Sequence, residues 1–306
     1  MAEDKPLVPV IVGPTAVGKT AVAVELAALL PITVISADSR QIYRGLDIGT
    51  AKPTREEQGA VPHLGIDLVR PGERYSAGRF AAEAAGWLSD IGADRQPVVV
   101  GGTGFYVRAL ADGLFREPPL PAGRRAQLRQ WTGRLDGLGR WAARLDPGFS
   151  GGGRQRASRV VEVALLTGRP LSWWQVKAKE EGAMRPWYVR LTVPRQVLHQ
   201  RIEERVTRML AMGLVAEVQA LLAGGVPPDA PGLDAVGYRE VVRHLRGDLA
   251  ADELARAITV STRRYAKRQE TWFRHQLGGD PVVTLDAVDS AGALARQVFE
   301  LWERKD

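Results

Sequence analysis

Short apolar runs alternate with amphipathic stretches in the first third of the chain. The runs LVPVIVG, ITVISAD, HLGIDLV and PVVVGGTG predict β-strands, while KTAVAVELAALL and AGRFAAEAAGWLSDI predict helices between some of them. Pro9 has no amide hydrogen for a strand ladder, so we expect the first strand to pair fully only after it. Strands that alternate with helices imply a parallel sheet with helices on both faces, which is an α/β fold.

The pattern changes between residues 116 and 185. This segment opens with the proline-rich REPPLPAGRR and is then helical with little strand character. It holds four of the eight Trp residues, namely Trp131, Trp141, Trp173 and Trp174. PWYVRLTV predicts a return to the sheet, and it is followed by long helical stretches and a late strand at DPVVTLD. We therefore predict an α/β core in two parts, 1–115 and 186–306 with C-terminal helices, and an inserted helical subdomain at 116–185.

The composition excludes several classes of protein. The 306 residues include no cysteine, which rules out disulfides, Cys-ligated zinc, iron–sulfur clusters and a thiol nucleophile. Four scattered His residues argue against a His-based metal site. No apolar run is long enough to cross a bilayer, and the N-terminus MAEDKPL lacks the features of a signal peptide. We therefore expect a cytoplasmic protein that does not insert into a membrane.

The net charge of +7 comes from one segment of the chain. Residues 116–185 contain 14 Lys and Arg against 6 Asp and Glu, a surplus of 8, so the remainder sums to −1. A basic segment set into a neutral body indicates a surface for a polyanion. An arginine-rich solvated face is the alternative.

The first predicted strand runs into a glycine-rich loop with the spacing of a nucleotide-phosphate cradle, Gly13-x-x-x-x-Gly18-Lys19-Thr20. Its glycines let backbone N–H groups face phosphate oxygens, Lys19 adds a charge, and the Thr20 hydroxyl can bind Mg²⁺. A strand-to-helix turn that binds nothing is the alternative. The predicted phosphate-binding residues are Gly13, Pro14, Thr15, Ala16, Val17, Gly18, Lys19 and Thr20.

Two further loops follow predicted strands, at the positions where open α/β sheets bind ligands. Asp38 follows ITVIS, and it could hold Mg²⁺, act as a general base or cap the next element. A capping role leaves three nearby residues unexplained, which suit a surface facing a large polar substrate: Gln41, Tyr43 and Arg44. In VVVGGTG, the glycines around Thr103 allow close approach of the backbone to a ligand, so we expect Thr103 to contact substrate.

Two of the predicted helices carry basic stripes. Arg201, Arg205 and Arg208 share one face of the first helix, and a surface ion-pair lattice with the neighbouring glutamates is the alternative to a functional role. The second, TRRYAKRQETWFR, interleaves basic and aromatic residues, which suits nucleic acid through phosphate contact and base stacking. Packing of Trp272 in the core is the alternative there.

Seven separated blocks of the sequence together resemble one family. They are GPTAVGKT, SADSRQIYRGLDIGTAKP, VGGTGFY, QRASRVVEV, RMLAMGLVAEV, VGYRE and YAKRQETWFR. In this order they are similar to the bacterial tRNA dimethylallyltransferases (tRNA isopentenyltransferases), over about residues 8–275. The resemblance implies an α/β, P-loop NTPase-like core with an inserted helical tRNA-binding subdomain.

The resemblance also implies a reaction. The family transfers a dimethylallyl group from dimethylallyl diphosphate to N6 of adenosine 37 in tRNAs that read codons beginning with U. The target base flips into a channel through the protein, and the diphosphate enters from the other end. By resemblance, Asp38 is the general base and Thr103 holds N6 or a diphosphate oxygen in line. The glycine-rich loop with Lys19, Mg²⁺ bound through Thr20, and Arg205 would stabilise the leaving diphosphate.

The resemblance further implies contacts to the tRNA anticodon stem-loop. The residues are Asp38, Ser39, Arg40, Gln41, Thr103, Arg125, Gln155, Arg156, Ala157, Ser158, Arg159, Lys267 and Arg268. Arg156 and Arg159 would meet phosphates, and Gln41 is a candidate for reading a base edge. We expect a monomer with no obligate protein partner.

This sequence departs from the family pattern at two places. The turn before QRASR is FSGGG in place of the usual Asn-Asp pair, and His63 stands alone where the family usually has two histidines. Without cysteines, the chain also lacks the type of zinc finger that eukaryotic relatives add.

Three other functions compete with tRNA prenylation. A small-molecule P-loop kinase would explain Lys19, Thr20 and Asp38 but neither the basic insertion nor the AKRQETWFR helix. A prenyltransferase acting on free AMP or ADP keeps the chemistry and changes the acceptor. A non-catalytic RNA-binding module leaves Lys19 and Asp38 without a role.

Overall fold

The computed structural model describes residues 5–116, 122–277 and 282–305, and the chain divides into two compact units. The first unit is Met1–Ala111 together with Ala183–Asp306, and the second is Asp112–Gly182. The insertion predicted from the sequence, 116–185, starts and ends a few residues later than this second unit. The backbone N–H of Ala183 donates to the Leu110 carbonyl (2.8 Å), which marks where the chain re-enters the first unit.

The strands and helices of the described residues follow the alternation expected of an α/β core. The strands are β1 (Leu7–Val12), β2 (Ile32–Ser36), β3 (His63–Leu64), β4 (Gln96–Gly101), β5 (Arg185–Thr192) and β6 (Val282–Asp286). The helices are α1 (Lys19–Ala27), α2 (Arg55–Ala60), α3 (Ala77–Asp90), α4 (Gly104–Asp112), α5 (Ala122–Arg134), α6 (Leu138–Leu145), α7 (Arg154–Thr167), α8 (Leu171–Lys177), α9 (Arg195–Ala211), α10 (Leu214–Ala223), α11 (Tyr238–Leu245), α12 (Ala251–Gln276) and α13 (Ala291–Glu303).

The sheet of the first unit has the strand order β3-β2-β4-β1-β5-β6, and every described pair is parallel, which confirms the predicted α/β fold. The expected effect of Pro9 is also confirmed. Pairing of β1 with β5 starts at Leu7, but pairing with β4 starts only at Val10, so the strand is paired on both sides only after the proline. Because the strands are parallel, the loops after β1, β2 and β4 meet at one edge of the sheet.

Some elements differ from the pattern-based expectation. The run HLGIDLV forms only the two-residue strand β3. The long helical stretch after β5 divides into α9 and α10, since Gly213 adopts a positive φ of 95° that favours glycine and ends a helix. Among the described residues, no single helix is both long and apolar enough to cross a bilayer; the pair α9–α10 meets that criterion only when both are taken together across a 52° bend.

The second unit is helical and has a small core of its own. Leu138 and Ala142 of α6 pack against a buried face of α7 that includes Val160, Val161 and Val163. The Asp146 carboxylate accepts hydrogen bonds from the backbone N–H (2.8 Å) and hydroxyl (2.5 Å) of Ser172, and so ties the end of α6 to the start of α8.

Candidate active site

The glycine-rich loop between β1 and α1 is a tight strand-to-helix turn. Gly18 has a φ of 106° directly before α1, a conformation that glycine adopts without strain. A Cβ on Gly13 would lie 2.6 Å from the Leu191 carbonyl oxygen of β5, so this position has no room for a side chain. The Lys19 ammonium donates to the carbonyls of Gly13 (3.0 Å) and Pro14 (2.9 Å), which holds the side chain across the loop.

The loops after β2 and β4 are joined through Thr103. The Thr103 hydroxyl accepts a hydrogen bond from the Ser39 N–H (3.0 Å) and donates to the Ser39 hydroxyl (3.2 Å). The Asp38 Oδ1 accepts from the Arg40 N–H (2.8 Å), so this oxygen stabilises the turn as the capping alternative predicted. This hydrogen bond occupies only Oδ1, so the Asp38 carboxylate can also have a chemical role.

One cavity of ≈ 1330 Å³ in the first unit brings several of the predicted site residues together, although Thr103 is not among its lining residues. Its lining includes the loop from Thr15 to Thr20, Asp38, and Arg205 of α9. Burial lowers the pKa of Lys19 to about 8, with Asp38 opposing the shift and Arg205 adding to it. Burial also lowers the pKa of Arg205, again opposed by Asp38. Two cations and one carboxylate therefore lie close to one another at the edge of the sheet.

Arg201, Arg205 and Arg208 of α9 have different surroundings. Arg201 donates to the carbonyls of Val17 (3.4 Å) and Ala287 (2.8 Å), and Arg205 donates to the Thr50 carbonyl (3.4 Å). Arg208 is exposed. The neighbouring glutamates have other partners, so the predicted alternative of an ion-pair lattice within this helix is wrong for Arg201 and Arg205.

The glycines around Thr103 make room for protein atoms, which corrects the expectation that they admit a ligand. A Cβ on Gly101 would lie 2.2 Å from the Ala37 carbonyl oxygen of the neighbouring loop. A Cβ on Gly102 would lie 2.3 Å from the Gln269 amide nitrogen, and one on Gly104 would lie 2.1 Å from the Trp272 ring. The Trp272 ring therefore packs against Gly104, while the residue as a whole is half-buried.

Gln41 is also placed differently from its predicted role. Its side chain is buried, and its Oε1 accepts from the Ser36 hydroxyl (2.9 Å) while its Nε2 donates to the Ala51 carbonyl (3.1 Å). Both ends of the amide are thus engaged within the protein, and its placement does not support the predicted reading of a base edge. Arg40 is half-buried and donates to the Pro231 carbonyl (2.9 Å).

Glu217 and Tyr238 hold the loop at 46–52, although the sequence analysis assigned neither residue to the site. Glu217 of α10 accepts from the N–H groups of Asp47 (3.1 Å) and Ile48 (2.9 Å) and from the Tyr238 hydroxyl (2.5 Å). Tyr238 in turn accepts from the Gly49 N–H (3.1 Å). Glu217 and Tyr238 therefore support the DIGTAKP segment, which includes the Thr50 carbonyl that Arg205 contacts.

Helix α12 faces the site with two residues that were not predicted to belong to it. Gln269 accepts from the Thr15 N–H (2.8 Å) and donates to the Gly102 carbonyl (2.8 Å). Tyr265 lies beside Thr103, and burial raises the pKa of Tyr265 to about 12. The sequence carried a signal for Gln269, because it is a polar residue within the otherwise mainly apolar buried stripe of this helix. The predicted Lys267 and Arg268 are both exposed.

The predicted tRNA contacts of the second unit divide into exposed and anchored residues. Gln155 and Arg156 are exposed. The buried Glu162 carboxylate accepts from three guanidiniums of α5 and α7, those of Arg125 (2.5 Å), Arg129 (3.1 Å) and Arg159 (2.8 Å). The Ser158 hydroxyl bonds the Thr132 hydroxyl (2.6 Å). Ala157 is buried in the core of this unit, so its side chain is not exposed for the predicted contact to tRNA.

The structure describes both positions at which the sequence departs from the family pattern, His63 and the FSGGG turn. His63 opens β3 and lines the cavity, its Nδ1 is bonded to the Val61 carbonyl (2.8 Å), and burial lowers its pKa. Gly151 and Gly152 have positive φ values of 97° and 125°, and Gly153 precedes α7 without a side-chain cap. The FSGGG turn therefore uses conformations that glycine favours.

The parallel sheet with its phosphate-cradle loop defines the class: an α/β protein with a P-loop-type core. The IPP transferase profile matches residues 41–276, and the isopentenyl transferase profile matches residues 6–68. The chain belongs to the IPP transferase family.

Relatives at full length agree with this assignment. The chain is 42% identical to a tRNA dimethylallyltransferase of Syntrophobacter fumaroxidans, covering 97% of this chain and 88% of that one. It is 44% identical to tRNA dimethylallyltransferase 1 of Syntrophotalea carbinolica, covering 96% and 94%. Its structure resembles the crystal structure of a tRNA isopentenylpyrophosphate transferase from Bacillus halodurans, with a TM-score of 0.72, 33% identity and coverage of 98% and 96%.

Proposed function

We propose that the protein transfers a dimethylallyl group from dimethylallyl diphosphate to N6 of adenosine 37 in tRNAs that read codons beginning with U. The products are N6-(dimethylallyl)adenosine and diphosphate. The observation that supports this most is the shared cavity, in which Asp38 lies near the cations Lys19 and Arg205 beside a phosphate-cradle loop. The names of the relatives, tRNA dimethylallyltransferases, support the choice of donor and acceptor.

The transfer needs a base, because an exocyclic amine is a weak nucleophile that must lose a proton. N6 attacks C1 of the dimethylallyl group, the N–C bond forms, and the C1–O bond breaks with its electron pair leaving on the diphosphate. The Asp38 carboxylate accepts the N6 proton. Thr103 orients the acceptor, and its own position is fixed by Ser39 and Tyr265.

Negative charge on the departing diphosphate is stabilised by the cationic side of the cavity. The ammonium of Lys19 and the guanidinium of Arg205 are half-buried there, and a charge that is shielded from water interacts more strongly with an anion. The backbone of the loop and the start of α1 add N–H groups that face an anion. This arrangement stabilises the leaving group more than it stabilises the intact donor, which is what lowers the barrier.

An Mg²⁺ ion fits the residues present. Thr20 lies in the first turn of α1 and lines the cavity, and its hydroxyl oxygen is a ligand type that Mg²⁺ accepts. Within the described ranges there is no cluster of three or more His, Asp or Glu, but Mg²⁺ is commonly held by one or two side chains together with substrate phosphates and water. Thr20 would hold the ion, which when bound supplies charge that neutralises the diphosphate.

Basic residues of the second unit contribute to recognition of the tRNA. In the second unit Arg156 is exposed, while Arg125 and Arg159 are oriented by Glu162. Arg156→Ala should weaken tRNA binding and reduce the slope of log Kd against log salt by about 1, because one phosphate contact is lost. Unchanged tRNA affinity with altered affinity for dimethylallyl diphosphate would contradict this role.

The deciding experiment compares donors and acceptors in parallel. The purified protein with Mg²⁺ is incubated with dimethylallyl diphosphate plus tRNA, with dimethylallyl diphosphate plus AMP, and with ATP plus small hydroxyl acceptors. Mass spectrometry of the tRNA nucleosides should reveal N6-(dimethylallyl)adenosine in the first reaction alone. Prenylated AMP without prenylated tRNA would favour a free-nucleotide prenyltransferase, and consumption of the ATP γ-phosphate without prenylation would favour a kinase.

A further inference from the structure

Gln269 is a buried polar residue in the C-terminal third of α12, the longest described helix. It lies on the face of α12 that also buries Ile258, Ala266 and Phe273, and its side chain is almost fully shielded from water. An amide at such a position is costly unless both of its ends are hydrogen-bonded. The hydrogen-bond partners of the Gln269 amide therefore indicate the role of this residue.

Both ends of the Gln269 amide bond to loops of the cavity. Its Oε1 accepts from the Thr15 N–H of the phosphate-cradle loop at 2.8 Å, and its Nε2 donates to the Gly102 carbonyl at 2.8 Å. These loops follow β1 and β4, which are paired neighbours in the sheet. One side chain thus connects the loop on the donor side with the loop that carries Thr103.

The Gln269 side chain packs so closely against Gly102 that there is no room for a side chain at position 102. A Cβ at this position would lie 2.3 Å from the Gln269 Nε2, so any other residue would displace the amide. Adjacent turns of α12 continue the same contact surface. Tyr265 lies beside Thr103, and the Trp272 ring lies against Gly104. Three residues on one face of the helix therefore contact three successive residues of the loop after β4.

We propose that Gln269 is a positioning residue that sets the spacing between the diphosphate cradle and Thr103. This inference rests on the proposed function, since the spacing matters only if the two loops hold the two reactants of one transfer. Reacting atoms must approach to about 3–3.5 Å, and a misplacement of about 1 Å can cost on the order of 10²-fold in rate. Among side chains of this length, the glutamine amide supplies both the acceptor for Thr15 and the donor for Gly102.

Gln269→Met tests the role by keeping the length of the side chain and removing both hydrogen bonds. We expect kcat to fall on the order of 10- to 100-fold. The Kd for tRNA should change much less than kcat, because most of the predicted tRNA contacts lie outside the two loops that Gln269 joins. Gln219→Met, at an exposed position of α10, is the matched control and should leave kcat unchanged. A kcat for Gln269→Met within about twofold of the wild-type value would overturn the proposal.

Gln269→Glu provides a second readout that a general loss of packing would not give. An ionised carboxylate can accept from Thr15 but repels the Gly102 carbonyl, whereas the protonated carboxyl can again donate to it. Burial favours the protonated form, so the ratio of kcat for Gln269→Glu to that of the wild type should rise as the pH falls. The same ratio for Gln269→Met should not depend on pH. A pH-independent ratio for Gln269→Glu would refute the positioning role even if Gln269→Met does not fold.

The outcomes distinguish this inference from the function on which it rests. If the wild-type protein prenylates tRNA and the Gln269 variants behave like it, only the positioning role is lost. If the wild type forms no prenylated tRNA from dimethylallyl diphosphate, the proposed function itself fails.

Discussion

Replacing Asp38 with asparagine separates its two possible roles, since it removes the base and keeps the turn. In the folded chain Oδ1 of Asp38 accepts from the Arg40 N–H at 2.8 Å, and an asparagine oxygen can accept the same hydrogen bond. The loop should therefore persist. A positioned general base typically contributes 10²–10⁴-fold, so we expect kcat to fall by about that factor.

The same substitution has an electrostatic consequence that can be measured independently. Asp38 raises the pKa values of Lys19 and Arg205 against the effect of burial. Without this carboxylate the two cations face each other alone, so the pKa of Lys19 should fall further below its present value of about 8. The alkaline limit of donor binding should then move to lower pH in Asp38→Asn.

Single-turnover prenylation of tRNA, followed by nucleoside mass spectrometry, measures the chemical step directly. Asp38→Ala is the comparison, because it removes the turn bond as well and should lower the melting temperature where Asp38→Asn does not. Binding of tRNA, measured separately, should persist in both variants. If Asp38→Asn turns over at a rate close to that of the wild type, Asp38 is a turn residue and the base must be sought elsewhere in the cavity.

Three further predictions follow from the contacts of the first unit. The Lys19 ammonium loses its proton as the pH rises through about 8, so the KM for dimethylallyl diphosphate should increase over that range; a constant KM between about pH 7 and about pH 9 would contradict its role. Glu217→Gln places an NH₂ group near backbone donors and should lower the free energy of unfolding by about 1–3 kcal/mol in urea denaturation, whereas the exposed Glu300→Gln should change it by less than about 0.5 kcal/mol. Gly104→Ala should lower the free energy of unfolding by about 1–3 kcal/mol, because the new methyl group clashes with the indole ring of Trp272. Gly86→Ala, in open space on α3, should instead raise it by about 0.5–1 kcal/mol. Equal effects of the two substitutions would refute the packing argument.

Features of the fold that depend on local chemistry could be predicted from the sequence. The spacing of Gly13, Gly18, Lys19 and Thr20 predicted the strand, tight turn and helix, because positive φ and phosphate geometry impose those residue types. The parallel sheet followed from alternating apolar runs. The incomplete pairing of β1 followed from Pro9 alone, since a missing amide hydrogen has a purely local effect.

What the sequence left open depends on contacts between distant segments. Arg201 and Arg205 share one helical face, and no periodicity distinguishes the one that bonds Val17 and Ala287 from the one that bonds Thr50. Gln41 follows Asp38 closely and looks equally suited to a surface, yet the fold turns its amide inward to Ser36 and Ala51. Partners of this kind are decided by tertiary packing, which residue spacing along the chain does not encode.

The glycines after β4 show how such an ambiguity is resolved. Alone, the sequence Gly101-Gly102-Thr103-Gly104 is as compatible with a close-bound ligand as with a close-packed helix. The distinction lies in α12, more than 150 residues later in the chain, whose Gln269 and Trp272 occupy the space where the side chains of residues 102 and 104 would be. Sites in mutual contact are expected to be non-additive in stability. An alanine at 102 should therefore be tolerated better with a shorter residue at 269 than with glutamine, whereas an independent ligand-binding role for the glycine predicts that the two costs simply add.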